Sequence, residues 1–339
     1  MREILYNAAL NEAMHEEMSR DDKVYYIGEE CAEDTWGTST GLFEKFGKAR
    51  VKNTAISEAA ILGSSVGAAM AGYRPIVNLM FADFYVCGAD EVLNKAAKWR
   101  FANGGKVTIP LVVRAPIGGY SGLGPDHSQC LESLFMRTPG LKIAIPATPY
   151  DAKGLLKTAI RDNNPVIFLE HKNLMGTTGP VPEEEYTVPF GVADIKRAGT
   201  DVTVFATGYM VKLMLDVSRH LQEEKGISTE IVDPRTLEPL DMETVIASVK
   251  KTKHLVIVDE DTKRCGVGAE IAMQVMENAF DYLDAPVKRV QAANYPIAAC
   301  SVEKYILPQP QEMADAVMEV LGRSDRLDLT GKVKTASMV

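Results

Sequence analysis

Residues 51–72 read VKNTAISEAAILGSSVGAAMAG, and the placement of this stretch decides the fold. An extended segment turns at Ser57–Glu58 into a helix built almost wholly of small and apolar residues. Gly63, Ser64, Ser65, Gly67, Ala68, Ala69 and Gly72 give it so little bulk that neighbours can pack closely on several sides. The composition predicts a buried helix over about 58–71, with the Glu58 carboxylate entering a largely dry environment at its first turn. Two readings of that acid stand side by side. Ser57 and Glu58 can be an N-cap and a first-turn acid suited to the helix dipole, worth about 1–2 kcal/mol at most. Alternatively, the carboxylate is buried for a partner that needs a strong acceptor or a shared proton.

A strand–helix alternation surrounds this stretch. Val24–Ile27, Pro75–Leu79, Ile109–Val113, Ile143–Ile145 and Val166–Leu169 read as strands. Helices are expected at about 2–20, 58–71, 87–103 and 151–162. Near-continuous apolar strands between helices imply a parallel sheet covered on both faces. Residues 173–200, rich in Pro, Gly and Glu, read as a surface linker. A second series follows, with strands Val202–Ala206, Glu230–Val232, Leu255–Val258 and Val287–Val290. Its helices fall near 209–223, 241–250, 268–280 and 310–321. The fold class is therefore α/β, with two doubly wound domains. The division is 1–178, a linker 179–200, 201–322 and a loosely held tail 323–339.

Composition narrows the function classes. The chain has 339 residues, 46% hydrophobic and 24% charged, with a formal net charge of −9. That acidity argues against nucleic acid or an anionic membrane as main partner. No apolar run approaches the roughly 18 residues that span a bilayer, and the N-terminal amphipathic stretch is no signal peptide. Cys31, Cys87, Cys130, Cys265 and Cys300 form no CxxC pair. A reducing, cytoplasmic setting suits them, and a structural zinc site is not expected.

Several motifs carry chemistry. His127 follows a loop with four glycines between Pro116 and Asp126, in APIGGYSGLGPDHSQCLESLF. Glycines there let backbone approach a ligand, which places the histidine at a pocket mouth or, equally, as a cap on a helix beginning at Ser128. Phe81-Ala-Asp-Phe84-Tyr85 puts aromatics at the C-terminal edge of a strand, where ligands of open parallel sheets collect. The turn after Ala159-Ile160-Arg-Asp162-Asn-Asn164 can present carbonyls to a small cation. Gly266-Val-Gly268 reads as a helix-start turn rather than a nucleotide site. No GxxxxGK[ST] occurs, and no GDG followed by Asn.

Together these pieces resemble the beta subunit of the thiamine-diphosphate-dependent 2-oxo acid dehydrogenase component, the family of the pyruvate, branched-chain and acetoin dehydrogenases. The matching stretches are NTAISEAAILGSSVGAAMAGYRPIVNLMFADF, DEVLNKAAKWRFANGG, PLVVRAPIGG, HSQCLESLFMRTPGLKIAIPATPYDAKGLL, AIRDNNPV, IVDPRTLEPLD and VIVDE, in order over about residues 2–322. The resemblance implies a pyrimidine-binding first domain and a transketolase-type C-terminal domain. It implies that Glu58 hydrogen-bonds the cofactor's aminopyrimidine, that Phe84 stacks beneath it, and that Ile56 and Cys87 line its site. It implies catalytic roles for Glu58 and His127, with a monovalent cation, K+, on Leu111, Ala159, Ile160, Asp162 and Asn164, mostly through backbone oxygens. The absent GDG implies that the diphosphate and Mg2+ sit on an alpha subunit, in an α2β2 heterotetramer inactive without that partner. A lipoyl acyltransferase core is the implied acyl acceptor. The leading substrate is pyruvate, with an acetoin dehydrogenase or split transketolase-type subunit as alternatives. Three departures from the family touch this picture: Pro125-Asp126 ahead of the histidine, Cys87 where several relatives have Gln, and Ala55 in place of a frequent Pro.

Overall fold

The computed structural model describes residues 1–335 and divides into two compact units. The first comprises Met1–Ile117 with Leu134–Phe190; the second comprises Gly118–Ser133 and the chain from Gly191 onward.

The first unit is built on parallel strands in the order Lys142–Ala144, Val166–His171, Val112–Ile117, Arg74–Asn78, Val24–Gly28 and Val51–Asn53. The central strands are buried along nearly their whole length. That explains their continuous apolar runs: both faces of a parallel sheet are covered by helices. The helix Pro149–Arg161 starts where Thr148 accepts a hydrogen bond from the Asp151 amide at 3.2 Å, with proline at its first position. It packs on the helix Tyr6–Arg20. Between them the buried Lys153 ammonium donates to Glu16 at 2.7 Å, and Lys157 reaches the other oxygen of the same carboxylate at 2.5 Å.

The second unit has strands in the order Lys288–Ala292, Leu255–Thr262, Val202–Ala206, Thr229–Asp233 and Asp194–Arg197, the last antiparallel to its neighbour. Its helices are Gly208–Lys225, Met242–Thr252, Val267–Ala279 and Pro310–Val320. Each α/β series thus appears as an α/β unit. Among the described residues, no helix is long and apolar enough to cross a membrane.

Several expectations are corrected. Residues 2–20 are not one helix: Arg2–Leu5 is a strand, paired antiparallel with Thr178–Val181 far along the chain. The stretch 179–200 is not a plain linker, because it holds most of that partner strand and Asp194–Arg197. The expected helix 87–103 is broken into a 3-10 helix at Ala82–Gly88, a π-helix at Asp90–Ala96 and one α-turn at Trp99–Ala102. The tail is docked as far as Lys332, whose ammonium binds both oxygens of Glu224 at 2.8 Å. The Gln311 side chain donates to the Leu327 carbonyl and accepts from the Leu329 amide, and both leucines are buried. Residues 336–339 of the expected tail lie outside the described residues. Residues 118–133, within the expected span 1–178, group with the second compact unit.

Candidate functional site

The small-residue helix runs Glu58–Met70 beside the C-terminal edge of the first sheet. Its inner face buries Ile61, Leu62, Ser65, Val66 and Ala69, whereas Ala59, Ala60, Ser64, Gly67 and Met70 are exposed. The expectation of a buried helix packed closely on several sides is corrected to one buried face, and Glu58 is half-buried rather than dry. Ser57 is no side-chain cap: its hydroxyl donates instead to the Ala55 carbonyl at 3.3 Å. Glu58 is the first helical residue, where the dipole favours a negative charge.

The 3-10 helix Ala82–Gly88 lies against that first turn. A Cβ on Gly88 would stand 2.4 Å from Leu62 Cδ1 and 3.4 Å from the Glu58 carbonyl oxygen, so a larger residue there would have to displace the Leu62 side chain. The short helix therefore carries Phe84 and Cys87 to the Glu58 end of the longer one. Phe84 is half-buried and meets Phe81 edge-to-face at 5.7 Å. Phe81 in turn meets Trp36 at 5.5 Å and carries the Lys172 ammonium over its face at 5.4 Å. Cys87 is exposed, and Ile56, just before the helix, is 81% exposed.

Sequence reasoning missed Glu29, although its position immediately after the strand Val24–Gly28 could have found it. Its carboxyl is raised by burial and then by the Glu58 charge, which puts two carboxylates within electrostatic reach of each other. This part of the first unit offers a half-exposed acceptor, an aromatic face braced from behind, and exposed apolar surface around them. Such an array suits a flat heteroaromatic ring that donates a hydrogen bond from its edge.

The residues expected at a cation site also gather in the first unit. Arg74 donates to the carbonyls of Ile160 and Asp162 at 3.0 and 2.9 Å. The Ala159 carbonyl accepts from the Asp162 amide and the Leu111 carbonyl from the Val166 amide. Asp162 binds Lys142 at 2.5 Å and the Asn164 amide at 2.8 Å, and Arg100 donates to the Asn164 side chain. The Ile160 and Asp162 carbonyls thus face the Arg74 guanidinium, and the Asp162 carboxylate the Lys142 ammonium, positive charges beside which a monovalent cation would have to bind.

His127 belongs to the second unit. Its Nδ1 lies 3.0 Å from Asp126 Oδ1, and that hydrogen bond holds the Asp126 carboxyl below its ordinary range. The pairing favours the tautomer in which Nε2 is the basic nitrogen. His127 is not a helix cap: residues 128–131 are irregular, and the next helix begins at Glu132.

Two α/β units in this order are the class of chain found among transketolase-type proteins, and comparison with known proteins agrees. The family model for the transketolase pyrimidine-binding domain matches residues 2–177, and that for the transketolase C-terminal domain matches 191–313. The beta subunit of acetoin:2,6-dichlorophenolindophenol oxidoreductase from Bacillus subtilis is 43% identical over 336 residues, covering 95% of this chain and 98% of the relative. The pyruvate dehydrogenase E1 component subunit beta of Rickettsia felis is 45% identical over 321 residues, covering 94% and 98%. The 2-oxoisovalerate dehydrogenase subunit beta of Bacillus subtilis is 42% identical over 320 residues, covering 93% and 98%. A solved structure described as a split-gene transketolase in an inactive beta4 tetramer superposes with a TM-score of 0.77 at 23% identity, covering 94% of this chain and 98% of that one. The chain belongs to the family of beta subunits of the 2-oxo acid dehydrogenase component.

Proposed function

We propose that this chain is the pyrimidine-binding beta subunit of a thiamine-diphosphate-dependent dehydrogenase acting on a 2-oxo acid, with pyruvate the leading substrate. The observation that carries this reading is the meeting of the Glu58 turn with the Phe84-bearing 3-10 helix across Gly88. When bound, the cofactor supplies the nucleophilic carbon and the electron sink for decarboxylation. Glu58 would hold a proton at the pyrimidine ring nitrogen, while Phe84 backs the ring face and Ile56 and Cys87 shield its edge. His127 would exchange a proton with substrate or with the incoming acyl acceptor through Nε2.

The diphosphate and Mg2+ fall to an alpha subunit in an α2β2 assembly, because this sequence holds no GDG motif. The acyl group would pass to a lipoyl domain of an acyltransferase core. All five cysteines are free, which suits a reducing, cytoplasmic setting. Cleavage of acetoin is the second reading, favoured by the 43% identity to the Bacillus subtilis acetoin enzyme's beta subunit.

Co-expression with a cognate alpha chain, followed by pyruvate, branched-chain 2-oxo acids and acetoin with an artificial electron acceptor, separates these readings. Glu58→Gln should assemble normally yet abolish exchange of the cofactor's thiazolium proton, read by NMR after quenching. An unchanged exchange rate would reduce Glu58 to a helix-start residue.

A further inference from the structure

The loop that carries His127 is tied down by two buried carboxylates of its own unit. The Gly119 amide donates to Glu260 Oε1 at 2.5 Å, and the Gly122 amide donates to both oxygens of Glu303, at 3.2 and 3.1 Å. Glu260 is 4% exposed and Glu303 8% exposed. They come from separate elements, the strand Leu255–Thr262 and the 3-10 helix Cys300–Tyr305. Further ties lie alongside: the Tyr120 hydroxyl donates to the Pro308 carbonyl at 2.6 Å, and the Cys300 amide donates to the Gly122 carbonyl at 3.1 Å.

This loop needs such restraint. Gly118, Tyr120, Gly122 and Gly124 all have positive φ. Tyr120, at +60°, occupies a conformation that side-chain-bearing residues seldom adopt, and such strain persists only where the surroundings over-determine it. There is also room for collapse. A cavity of about 480 Å³ lies between Pro125 and Gln129 of the loop and the segment around Tyr295, with Glu260 in its wall. Glu260 sits beside Asp259 and Asp261, and within electrostatic reach of the buried Glu132. A further charge there is expensive to bury, so a neutral acceptor would be the cheaper way to satisfy one amide. A carboxylate makes the stronger and more directional bond to an N–H donor.

We propose that Glu260 and Glu303 are positioning residues that clamp the backbone of residues 118–124 and thereby fix where His127 stands. This rests on the role proposed above for His127, and it adds the device that sets the histidine's place.

The test uses the full chain and its complex with the alpha partner. Glu260→Ala and Glu303→Ala remove the acceptor, whereas Glu260→Gln and Glu303→Gln keep one without the charge. Amide exchange at Gly119 and Gly122 should quicken at least tenfold in the alanine variants and less in the glutamine variants. The strand Thr229–Asp233 should keep its protection. In the assembled enzyme, kcat with a lipoyl acceptor should fall about tenfold or more, be largely restored by glutamine, and leave cofactor affinity unchanged. Unchanged exchange at both glycines would overturn the clamp, whatever His127 does. Uniform loss of protection through the second unit would also overturn it, by making the carboxylates general structural groups. Faster exchange with undiminished turnover would overturn the link to function. A wild-type rate in His127→Ala would instead remove the histidine's role, and the exchange data would still decide the clamp.

Discussion

Arg114 and Glu170 meet as a two-bond pair across adjacent parallel strands, Nε to Oε1 at 2.6 Å and Nη2 to Oε2 at 2.8 Å, with both side chains about 2% exposed. The pair lies on the strands whose C-terminal edges face the proposed cofactor region, and the Arg114 carbonyl accepts the Leu79 amide at the start of the aromatic segment. Opposite charges in this setting offset each other's desolvation but add little net stability.

Removing one partner is a different matter. Glu170→Ala strands the guanidinium and is expected to cost about 3–5 kcal/mol. The double change Arg114→Met with Glu170→Leu should recover most of that loss. Denaturant midpoints of these two variants against wild type measure it, and a Glu170→Ala variant as stable as wild type would show that the pair is hydrated in solution.

The loop around Asp162 gives a salt-specific expectation. Leu111, Ala159, Ile160 and Asp162 direct backbone oxygens into bonds with Arg74 and neighbouring amides. A cation bound to their second lone pairs would cross-link the strand ends and the helix Pro149–Arg161. Melting temperature should rise with potassium chloride beyond the rise given by choline chloride at equal ionic strength. Equal melting in the two salts would remove the cation from this loop.

The α/β alternation was legible because strands buried on both faces leave continuous apolar runs. Val24–Gly28 and Val166–His171 are of that kind. Arg2–Leu5 was not, since a short edge strand with alternating exposure is defined by its partner Thr178–Val181, far away in the chain. The helix at Glu58 was placed correctly but its burial was misjudged. Gly67, Ser64 and Ala60 fit a closed or an open face equally well, and in this chain that face is open. Glu58, Phe84 and His127 could be picked out as site candidates from local pattern and family resemblance. Glu260 and Glu303 could not, because what distinguishes them is the backbone amide each one meets.

A buried acid cluster in the second unit makes stability depend on pH. Burial pushes the Asp259 carboxyl up to about 7, and the Asp261 charge adds to it; Glu132 is raised well above its ordinary range by burial and by the same two aspartates. The folded state therefore holds protons that the unfolded chain releases near pH 4. For Asp259, the stabilisation is fully present below its ordinary pKa of 3.8 and is lost as pH rises toward 7. Each pKa unit corresponds to about 1.4 kcal/mol. Asp259→Asn retains an acceptor for Thr207 and the Asp261 amide but carries no charge, so it should flatten the decline in melting temperature between pH 5 and 8. A wild-type slope in this variant, read by scanning calorimetry, would place the titration elsewhere.

His127 gives the sharpest test of the catalytic reading, because its two proposed tasks fall in different half-reactions. Cofactor binding rests on Glu58 and Phe84 and should survive His127→Ala. Turnover with the lipoyl acceptor should fall about 10²–10⁴-fold, the contribution typical of a positioned acid–base group. Decarboxylation followed with an artificial acceptor bypasses the lipoyl step and should fall less. Asp126, 3.0 Å from Nδ1, orients the ring rather than reacting. Asp126→Asn keeps an acceptor for the Nδ1 proton and should cost little, while Asp126→Ala removes it and should fall between Asn and the histidine deletion. Wild-type overall turnover in a correctly assembled His127→Ala complex would leave the residue a surface group of the loop, with the proton transfer assigned to it carried by another part of the assembled site.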